Sequence, residues 1–569
     1  FTNIIERRLV TPMKSNKFRI KKPKYEIRNF PSYGILTSDG AQRLRTYLGR
    51  VWEGNPKVYT APFAKGDSME KVLADWDKEL VSIRDNWPSL YQFEEDLAKK
   101  VGPLSVQKPL AQRMDDIGHY YSDVLLPSCP IDDEAIQSVI SEFVGIRGLR
   151  VRSQKRTVEL MKKSTNSGTP YFTKRRNVVL DSYPCSSIAT GNYVDTVIKS
   201  DVSGKHNFES MAVVGWRGQE GGPDDDDVKQ RVVWMFPFSL NIEELSVYQP
   251  LIEGCQKRKL VPAWVSMELV DERVTALFDT KADDDLIVCT DFSKFDQHFN
   301  EDMQDCARTI LKSILDRRFL ASDRWLDHVF PCKYCIPLIV GITNKAITPE
   351  SISCLIGKHG MASGSGGTNC DETLTHRALQ YEAAIFNDSE LNPNSQCLGD
   401  DGILSYPGIT VEDVVEVYTR HGQEMNVDKQ YASSQDCVYL RRWHHKDYRD
   451  NGICVGVYST MRALGRLRYL ERWMDPEVWS PETVALRQLS IIENVKYHPL
   501  KEQFVQFCMK RDKYRLGLDI PGFLDNIVDI AKNATDLMPE FLGYTKTLQG
   551  EGVNGIKGWW VVNYLNSLK

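Results

Sequence analysis

The sequence predicts an α+β fold built around a small antiparallel sheet that is backed by helices. Three observations lead to this prediction. The segment LIVCTDFS is apolar and β-branched, which is typical of a buried strand, and it runs into Asp291. The segment SQCLGDDGILSY has two short apolar runs around an acidic turn, which predicts a hairpin. Apolar residues recur at helical spacing in EDMQDCARTILKSILDRRFL and in CDETLTHRALQYEAAIF.

The other elements can be assigned in chain order. The first 110 residues mix Pro-punctuated extended segments with polar helical stretches such as DSMEKVLADWDKELVSIRDNW. DDEAIQSVISEFVGIRGLRV predicts a helix, and MASGSGGTN predicts a glycine loop that opens the helix CDETLTHRALQYEAAIF. TVEDVVEVYTRHGQEM predicts a further helix, and CVYLRRWHH with GICVGVYST predicts a second hairpin. The tail from residue 461 is predicted to be mostly helical.

The overall composition is that of a folded globular protein. The chain has 569 residues, of which 41% are hydrophobic and 26% charged. Its apolar runs stay well short of the ~20 residues that a membrane span needs, so no membrane partner is expected. The 13 cysteines are scattered and odd in number, which favours reduced thiols in a cytosol-like compartment.

Charge is segregated along the chain, although the net charge is only −5. Ten Lys or Arg and one acid lie between Arg147 and Arg176, and the N-terminal stretch KSNKFRIKKPKYEIR is also basic. The acids collect in PDDDD, in ADDD and at Asp400–Asp401. This pattern indicates a basic groove for nucleic acid and an acidic metal centre. Any one of these runs, taken alone, is equally typical of a solvated face.

Two pairs of acids suggest divalent-cation chemistry. Asp291 ends an apolar strand, Asp296 lies five residues beyond it, and Asp400 and Asp401 occupy the turn of the acidic hairpin. Adjacent carboxylates repel one another unless a cation lies between them, and oxygen ligands suit hard divalent ions. Two Mg²⁺ ions ~4 Å apart stabilise the entering and leaving oxygens of an in-line phosphoryl displacement.

The loop SGSGGTN, between these acids, supplies three glycines from Ser363 to Asn369. Glycines allow a substrate to approach the main chain closely, and the helix that follows presents a free N-terminus. The alternative, a flexible linker, fits poorly with the structured segments on both sides.

The ordered set D-x4-D, S-G-x3-T and G-D-D resembles the palm of viral RNA-dependent RNA polymerases. The strings DFSKFDQHF and SGSGGTNCDET resemble those of picobirnavirus polymerases, to which partitivirus enzymes are related. The resemblance covers residues 160–470. It implies a right-handed fingers–palm–thumb fold with an antiparallel palm sheet and closed fingers. The implied boundaries are a bridge from fingers to thumb (1–110), fingers (111–240), palm (241–460, with an interleaved fingers segment at 300–355), and thumb with tail (461–569).

The resemblance also implies roles for individual residues. Asp291 and Asp400 would be the main metal ligands, with Asp401 in support, for two Mg²⁺ ions that Mn²⁺ can replace. Asp296 would sense the ribose of the incoming nucleotide, because only a ribonucleotide offers a 2′-hydroxyl. The glycine loop would help to bind the nucleotide through Ser363, Gly364, Thr368 and Asn369.

Further family motifs match other segments. KQRVVWMFP resembles the basic motif that contacts the triphosphate through Lys229 and Arg231, although Arg231 could equally be an exposed strand residue. Lys429 in NVDKQ matches a candidate proton donor to pyrophosphate, or is a solvated lysine. NSGTPYF resembles the template-entry motif, and CVYLRRWHH resembles the hairpin that grips the primer. The residues expected to contact RNA are Ser167, Gly168, Pro170, Arg441 and Arg442.

The sequence departs from the family pattern at one position. Many relatives have an Asn four residues after the Thr of S-G-x3-T, whereas this chain has Glu372 at that position. The sequence therefore leaves open which residues bind the hydroxyl groups of the sugar. Two other signals carry less weight. Cys332 and Cys335 form a C-x2-C pair that could bind zinc, but buried free thiols are the default. PDDDD is expected to be a solvated loop rather than a metal site.

The resemblance therefore implies an RNA-dependent RNA polymerase that replicates and transcribes a viral, double-stranded RNA genome by two-metal nucleotidyl transfer. The implied partners are template and product RNA, ribonucleoside triphosphates and a viral capsid protein, and the implied location is the virion interior and the host cytoplasm. Two alternatives remain. A reverse transcriptase shares the palm but usually lacks an acid at position 296, and parallel assays with ribo- and deoxyribonucleotides would separate the two. A catalytically inactive RNA-binding or capsid-associated protein would not need the ordered acids, and a metal titration would identify it.

Overall fold

The computed structural model describes residues 25–29, 36–341, 352–475, 477–537 and 552–569. Most of the basic stretch at residues 14–28 and part of the interleaved segment at 300–355 lie outside these ranges. The helices in the first half are α1 (Ser38–Glu53), α2 (Met69–Leu80), α3 (Pro88–Ala98), α4 (Met114–Ser122), α5 (Asp133–Glu142), α6 (Gln154–Leu160), α7 (Val179–Ser182), α8 (Phe238–Arg258), α9 (Pro262–Val265) and α10 (Met267–Thr280). Those in the second half are α11 (Glu301–Ile314), α12 (Leu320–Arg324), α13 (Cys332–Cys335), α14 (Thr368–Phe386), α15 (Val411–Thr419), α16 (Thr460–Arg468), α17 (Pro481–Ile492), α18 (Lys501–Lys510), α19 (Ile527–Leu537) and α20 (Trp560–Ser567).

The strands form several small sheets. In chain order they are β1 (Glu26–Asn29), β2 (Tyr59–Thr60), β3 (Cys185–Thr190), β4 (Tyr193–Ser200), β5 (Gly204–Glu209), β6 (Ala212–Gln219), β7 (Lys229–Met235), β8 (Ile287–Thr290), β9 (Leu338–Val340), β10 (Ser353–Ile356), β11 (Gln396–Leu398), β12 (Asp401–Leu404), β13 (Tyr431–Ser433), β14 (Asp436–Tyr439), β15 (Arg442–His445), β16 (Val457–Tyr458) and β17 (Tyr469–Leu470). The largest sheet has the order β1-β10-β9-β6-β7, and β3-β4-β5 forms a separate three-stranded sheet.

The predicted central sheet is present, with the order β11-β12-β8-β13 and every pairing antiparallel. The acidic hairpin is confirmed as β11 and β12, and β12 pairs with β8 so that Gly402 lies opposite Thr290. Strand β8 is fully buried, which explains its uninterrupted apolar sequence. One side of the sheet packs on a core that includes Phe292, Leu374 and Tyr418.

Helices α11, α14 and α15 back this sheet, as their apolar periodicity predicts. Asn300 caps α11 by accepting a hydrogen bond from the Met303 amide at 3.2 Å, and Thr410 caps α15 through the Asp413 amide at 3.2 Å. Helix α14 is buried along almost its whole length, including the polar residues of its first turns. It is therefore a core helix, and its polar side chains need partners inside the protein.

The second hairpin is present and has one more strand than predicted. The predicted pairing of CVYLRRWHH with GICVGVYST forms as β15 with β16, and CVYLRRWHH also folds back on itself as β14 and β15. The turn residues Leu440 and Arg441 have φ angles of 52° and 61°. Tight hairpin turns of this kind need left-handed backbone, which Asn or Gly usually supplies. Because neither residue is present, the turn composition does not indicate a hairpin, and only the family resemblance of CVYLRRWHH predicts one here.

The helix predicted from DDEAIQSVISEFVGIRGLRV is shorter than expected. Helix α5 ends at Glu142, and one 3₁₀ turn follows at Val144–Ile146. Gly148 then has a φ angle of 89°, a left-handed conformation that stops a helix. The basic residues after Gly148 consequently lie on extended chain and on the short helix α6 rather than on one long helix.

The N-terminal segment shares its core with the C-terminal region. Buried side chains of α2 and α3, among them Trp76 and Leu90, pack with residues of α16 to α20 such as Phe504 and Val561. Strand β2 also pairs with β17. Among the described residues, no helix combines the length and the apolar character that crossing a membrane requires.

Candidate active site

Two predicted metal ligands lie at the same edge of the central sheet. Asp291 directly follows β8, and Asp400 lies in the turn that precedes β12. Because Thr290 is opposite Gly402 in an antiparallel pair, the chain leaves β8 beside the acidic turn. Partial desolvation raises the pKa of Asp291, and the negative charge of Asp400 raises it further. The two carboxylates therefore act on one another, although 108 residues lie between them in the chain.

Gln430 fixes the backbone at Asp291. Its Oε1 accepts a hydrogen bond from the Asp291 amide at 2.7 Å, and its Nε2 donates to the Asp291 carbonyl at 2.9 Å. Strand β13 follows immediately and pairs with β8, with Tyr431 opposite Cys289. Sequence reasoning missed Gln430, although it directly follows Lys429 in the NVDKQ motif.

The residues present fit a divalent metal ion. Asp291 and Asp400 offer carboxylate oxygens, and their mutual repulsion is of the kind that a cation relieves. Within the described part of the chain, no group of three or more His, Cys, Asp or Glu side chains is already assembled as a metal cluster. The donor set is therefore two carboxylates at the same edge of the sheet, with a third acid engaged elsewhere.

That third acid is Asp401, whose carboxylate is hydrogen-bonded within the protein. Its Oδ2 accepts a hydrogen bond from the Leu440 amide in the β14–β15 turn at 2.8 Å. Burial raises the pKa of Asp401 to about 7; the Leu440 hydrogen bond opposes this rise, and the charge of Asp400 adds to it. Asp401 thus connects the acidic turn to the neighbouring hairpin, which suits a supporting role.

Helix α14 holds the acidic turn in place. The Gly399 amide donates to Thr373 Oγ1 at 2.9 Å, and the Gly399 carbonyl lies 2.8 Å from Nδ1 of His376. Burial lowers the pKa of His376 to about 4, so the ring is neutral and Nδ1–H is the donor. A side chain at Gly402 would meet the His376 ring at 2.6 Å, which requires glycine there.

The glycine loop packs tightly against strand β7 and helix α8. A Cβ atom at Gly364 would lie 1.5 Å from the Trp234 carbonyl oxygen, and one at Gly367 would lie 2.3 Å from the Tyr248 ring. Glu244 of α8 accepts hydrogen bonds from the Ser365 hydroxyl and from the Gly366 amide. The loop is therefore a fixed element rather than a linker, and Glu244 was not foreseen because α8 carries no sequence motif.

The loop residues predicted to bind the nucleotide have local partners. The Ser363 hydroxyl donates to the Val232 carbonyl at 3.3 Å, and the Thr368 hydroxyl donates to the Ala362 carbonyl at 3.2 Å. Asn369 is exposed and accepts a hydrogen bond from the Trp264 indole at 2.8 Å. Its amide nitrogen lies near Gly399, so Asn369 is close to the acidic turn.

A second acid lies near Asp296, the residue predicted to sense the ribose. Asp296 interacts electrostatically with Glu372, which lies in the first turns of α14. Asp296 is half-buried, and Glu372 is only 4% exposed. Desolvation raises the pKa of both groups, and the charge of Asp296 raises that of Glu372 further. Glu372, which replaces the expected Asn, therefore lies within electrostatic range of Asp296.

Four basic side chains surround the Asp291 edge. Lys229 and Arg231 are exposed on β7, and Lys429 is exposed in the turn before β13. The charges of Lys100, Lys429 and Lys229 all act on Asp291 and lower its pKa against the other influences. Lys100, from the N-terminal segment, was not predicted, because nothing in the sequence indicates that this segment reaches the central sheet.

The two arginines of the primer-grip motif differ in their environment. Arg442 makes a bidentate ion pair with buried Asp271, with both N–O distances at 2.9 Å. Arg441 remains more exposed and lies 3.9 Å from Glu220, which also accepts from Arg462 and Arg466 of α16. Arg441 is thus the better placed of the two for a phosphate contact, while Arg442 anchors the hairpin to α10.

The predicted template-entry loop is braced from both sides. Ser167 is 1% exposed, and its hydroxyl accepts from the Thr173 amide at 3.1 Å. Gly168 has a φ angle of 61°, and a Cβ atom there would lie 2.5 Å from the Phe236 carbonyl. Arg43 of α1 donates to the Phe172 carbonyl at 2.8 Å. Pro170 is partly exposed. The predicted RNA contacts of this loop remain a prediction, in which RNA would meet the loop backbone and Pro170 rather than the buried Ser167 side chain.

The two discounted signals are buried thiols and an exposed acidic loop. Cys332 and Cys335 are buried in and around α13, and burial raises the pKa of both thiols, that of Cys335 to about 12. Asp224 to Asp227 are exposed, and the Asp227 carboxylate caps its own turn by accepting from the Asp224 amide at 3.0 Å.

Comparison with known proteins identifies the family. The model of the family described as viral RNA-dependent RNA polymerase matches residues 106–453. A potential RNA-dependent RNA polymerase of a human picobirnavirus (strain Human/Thailand/Hy005102/-) is 56% identical over 530 residues, which cover 92% of this chain and 96% of the relative. The chain belongs to the viral RNA-dependent RNA polymerases. The predicted resemblance to picobirnavirus enzymes is confirmed.

Solved structures agree with this assignment. The crystal structure of the RNA-dependent RNA polymerase of a human picobirnavirus matches this polymerase with a TM-score of 0.87 and 55% identity, covering 95% of this chain and 99% of that one. The crystal structure of its insertion loop deletion mutant matches with a TM-score of 0.86 and 53% identity over the same shares. The mixed α and β architecture is therefore that of a viral polymerase.

Proposed function

We propose that this polymerase replicates and transcribes a viral, double-stranded RNA genome by template-directed addition of ribonucleotides, with release of pyrophosphate. The observation that carries the proposal is the pairing of β8 with β12, which sets Asp291 beside the Asp400 turn. Carboxylates that act on one another across two strand ends provide the acidic centre that phosphoryl transfer requires.

Different residues of the chain have different roles in this reaction. Asp291 and Asp400, with Asp401 in support, would hold two Mg²⁺ ions, replaceable by Mn²⁺, which when bound activate the primer 3′-hydroxyl and neutralise phosphate charge. Arg231 and Lys229 bind the triphosphate oxygens, because an exposed guanidinium can contact phosphate bidentately.

Lys429 and Asp296 complete the centre. Lys429 donates a proton to the leaving pyrophosphate, and its exposure beside the Asp291 edge supports that role. Asp296 accepts the 2′-hydroxyl of the incoming nucleotide, which selects ribonucleotides over deoxyribonucleotides.

RNA is bound through its backbone. Most basic residues between Arg147 and Arg176 are exposed, and Arg441 adds positive charge near α16. Template enters past the loop that contains Ser167, Gly168 and Pro170. Such binding is tolerant of sequence and weakens steeply as salt rises.

The proposed architecture is a right hand with the boundaries given by the sequence: bridge, fingers, palm and thumb. Closed fingers are supported by Glu220, at the end of β6, which accepts from Arg462 and Arg466 of α16. The bridge is supported by the shared core of α2, α3 and the C-terminal helices. The proposal includes a viral capsid protein as partner, in the virion interior and the host cytoplasm.

The decisive experiment is the substitution Asp400→Ala, tested for nucleotide incorporation on a primed RNA template. We expect incorporation to fall by at least about 10³-fold, because the metal-binding carboxylate is lost and several kcal/mol of transition-state stabilisation depend on it. The variant should still fold and still shift RNA on a gel.

The matched control is Asp226→Ala, in the exposed acidic loop, which should incorporate nucleotides like the unaltered chain. Parallel reactions with ribo- and deoxyribonucleotides and with RNA and DNA templates separate this activity from reverse transcription. Full incorporation by Asp400→Ala would overturn the proposal.

A further inference from the structure

Glu220, which directly follows β6 and is 9% exposed, contacts α16 through its carboxylate. Its Oε1 lies 2.7 Å from Nε of Arg466 and 3.1 Å from Nη1 of Arg462, both on α16. Its Oε2 lies 3.9 Å from Nη1 of Arg441, in the β14–β15 turn. Burial raises the pKa of Glu220, but the charges of Arg466, Arg462 and Arg441 outweigh burial and leave this pKa below its ordinary value. Glu220 is therefore an ionised carboxylate among three guanidinium groups.

These three arginines, which we call the arginine cluster, are only partly neutralised by Glu220. Within the described part of the chain, Oε2 of Glu220 accepts no hydrogen bond, and its 3.9 Å separation from Arg441 is longer than one. The Arg441 side chain is 44% exposed. Nε of Arg462 donates to the neutral hydroxyl of Tyr458 at 3.0 Å. The cluster therefore keeps positive charge and donor groups that a further anion can use.

Phosphate is an anion that suits this arrangement. Guanidinium groups bind phosphate oxygens through paired hydrogen bonds and remain charged throughout the physiological pH range. A carboxylate presents two acceptor oxygens to the same donors. Glu220 thus occupies the arginine cluster in the way that a phosphate group would.

The position of the cluster favours RNA as the source of the phosphate. Arg441 directly follows Leu440, whose amide donates to Asp401 at 2.8 Å, so the cluster adjoins the acidic turn. On its other side, β6 pairs with β7, the strand that carries Lys229. RNA bound at the acidic centre would therefore place backbone phosphates next to this turn.

We propose that Glu220 is an internal competitor of RNA: its carboxylate occupies the arginine cluster in the RNA-free chain, and a backbone phosphate replaces it when RNA binds. The exchange frees Glu220 and loosens the contact between β6 and α16, so this contact and RNA binding oppose one another. The inference rests on the proposed function, because it takes RNA as the ligand. It adds a contact within the protein that limits the affinity for RNA.

The test is the dissociation constant for a single-stranded RNA oligonucleotide, measured by fluorescence anisotropy on the full chain. Glu220→Gln keeps the shape of the side chain and removes its charge. We expect this variant to bind RNA at least about threefold more tightly, because the competing ion pair is weakened. Asp226→Asn is the matched control, since it removes one negative charge from the exposed loop between β6 and β7. It should bind RNA like the unaltered chain.

A second comparison assigns the gain to the arginine cluster. Arg441→Ala removes one guanidinium group of the cluster, and in the Glu220→Gln chain it should abolish most of the gain in affinity. The KM for a ribonucleoside triphosphate in the incorporation assay should be unchanged in Glu220→Gln. This measurement separates the backbone phosphates of RNA from the phosphates of a free nucleotide.

Unchanged or weaker RNA binding by Glu220→Gln would overturn the inference. An equal gain in Asp226→Asn, a gain that Arg441→Ala leaves intact, or a lower triphosphate KM in place of tighter RNA binding would also contradict it.

If Glu220→Gln does not fold, Glu220→Asp decides, because its shorter side chain stays charged but contacts the arginines less closely. Tighter RNA binding by Glu220→Asp would support the inference, and unchanged or weaker binding would refute it. A chain that binds RNA in this way but incorporates no nucleotide would refute the proposed function alone, so the two failures are distinguishable.

Discussion

His421 and Glu382 form a buried ion pair that joins three parts of the chain. Nε2 of His421 lies 2.5 Å from Oε1 of Glu382, and its Nδ1 lies 2.7 Å from the Cys129 carbonyl. The other oxygen of Glu382 accepts from the Asp132 amide at the start of α5 at 2.7 Å. Burial alone lowers the pKa of His421, but the Glu382 carboxylate outweighs it and raises the pKa to about 10.

This pair predicts how stability depends on pH. Since the folded-state pKa lies above the unfolded value of about 6.5, the stabilisation is complete below that value and is lost as pH rises towards 10. We expect His421→Gln to reduce the decline in the free energy of unfolding between pH 7 and 9 by about 1.4 kcal/mol per pH unit. Urea denaturation at each pH measures the free energy of unfolding, and His206→Gln, at an exposed position, is the control. Parallel slopes for the unaltered chain and His421→Gln would contradict the assignment.

At the scale of one element, the glycine loop shows why small residues are required. Its backbone lies against the Trp234 carbonyl and the Tyr248 ring, and Glu244 holds its amide and hydroxyl groups. Burial raises the pKa of Glu244, and the nearby Lys333 opposes the rise. The start of α14, which carries Glu372, is thereby positioned against β7.

The substitution Gly364→Ala tests this packing. An added Cβ atom would lie 1.5 Å from a backbone oxygen, so the loop must shift. We expect a loss of about 1–3 kcal/mol in the free energy of unfolding and at least about a tenfold loss of incorporation. Gly49→Ala is the matched control, because a Cβ atom there meets nothing within 4 Å in the middle of α1. Unimpaired incorporation in Gly364→Ala would show that the loop need not be fixed.

At the scale of the whole molecule, the N-terminal segment is threaded between distant elements. A Cβ atom at Gly102 would lie 1.7 Å from the Gly222 carbonyl oxygen, and one at Gly218 would lie 1.7 Å from the Leu104 carbonyl oxygen. Val101 is buried against Gly465 of α16. These contacts fix the segment between β6 and α16, and they bring Lys100 to the Asp291 edge.

Lys100→Ala tests whether the segment contributes to the centre. We expect KM for the nucleoside triphosphate to rise about two- to fivefold, the range for an exposed charge interaction, with a smaller effect at high salt. Lys99→Ala is the matched control, since Lys99 is also exposed but is absent from the charges that act on Asp291. Equal KM values for the two variants would mean that Lys100 is a solvated surface residue with no effect on nucleotide binding.

Much of the centre could be predicted because it depends on local patterns. The strand before Asp291, the acidic hairpin and helix α14 were all predicted, since apolar periodicity and turn composition are properties of short segments. The β14–β15 turn was predicted only through the family resemblance, because Leu440 and Arg441 adopt left-handed backbone without Gly or Asn. Long-range contacts such as that from Asp401 to the Leu440 amide help to hold this backbone.

The sequence by itself determined which residue types the chain offers for catalysis and in what order, because those depend on covalent spacing and local periodicity. Only the tertiary structure decided which side chains meet. The electrostatic interaction of Asp296 with Glu372, the approach of Lys100 to Asp291 and the ion pair of Arg442 with Asp271 all join residues far apart in the chain. Burial and long-range electrostatics produce these contacts, and neither is visible in a short stretch of sequence.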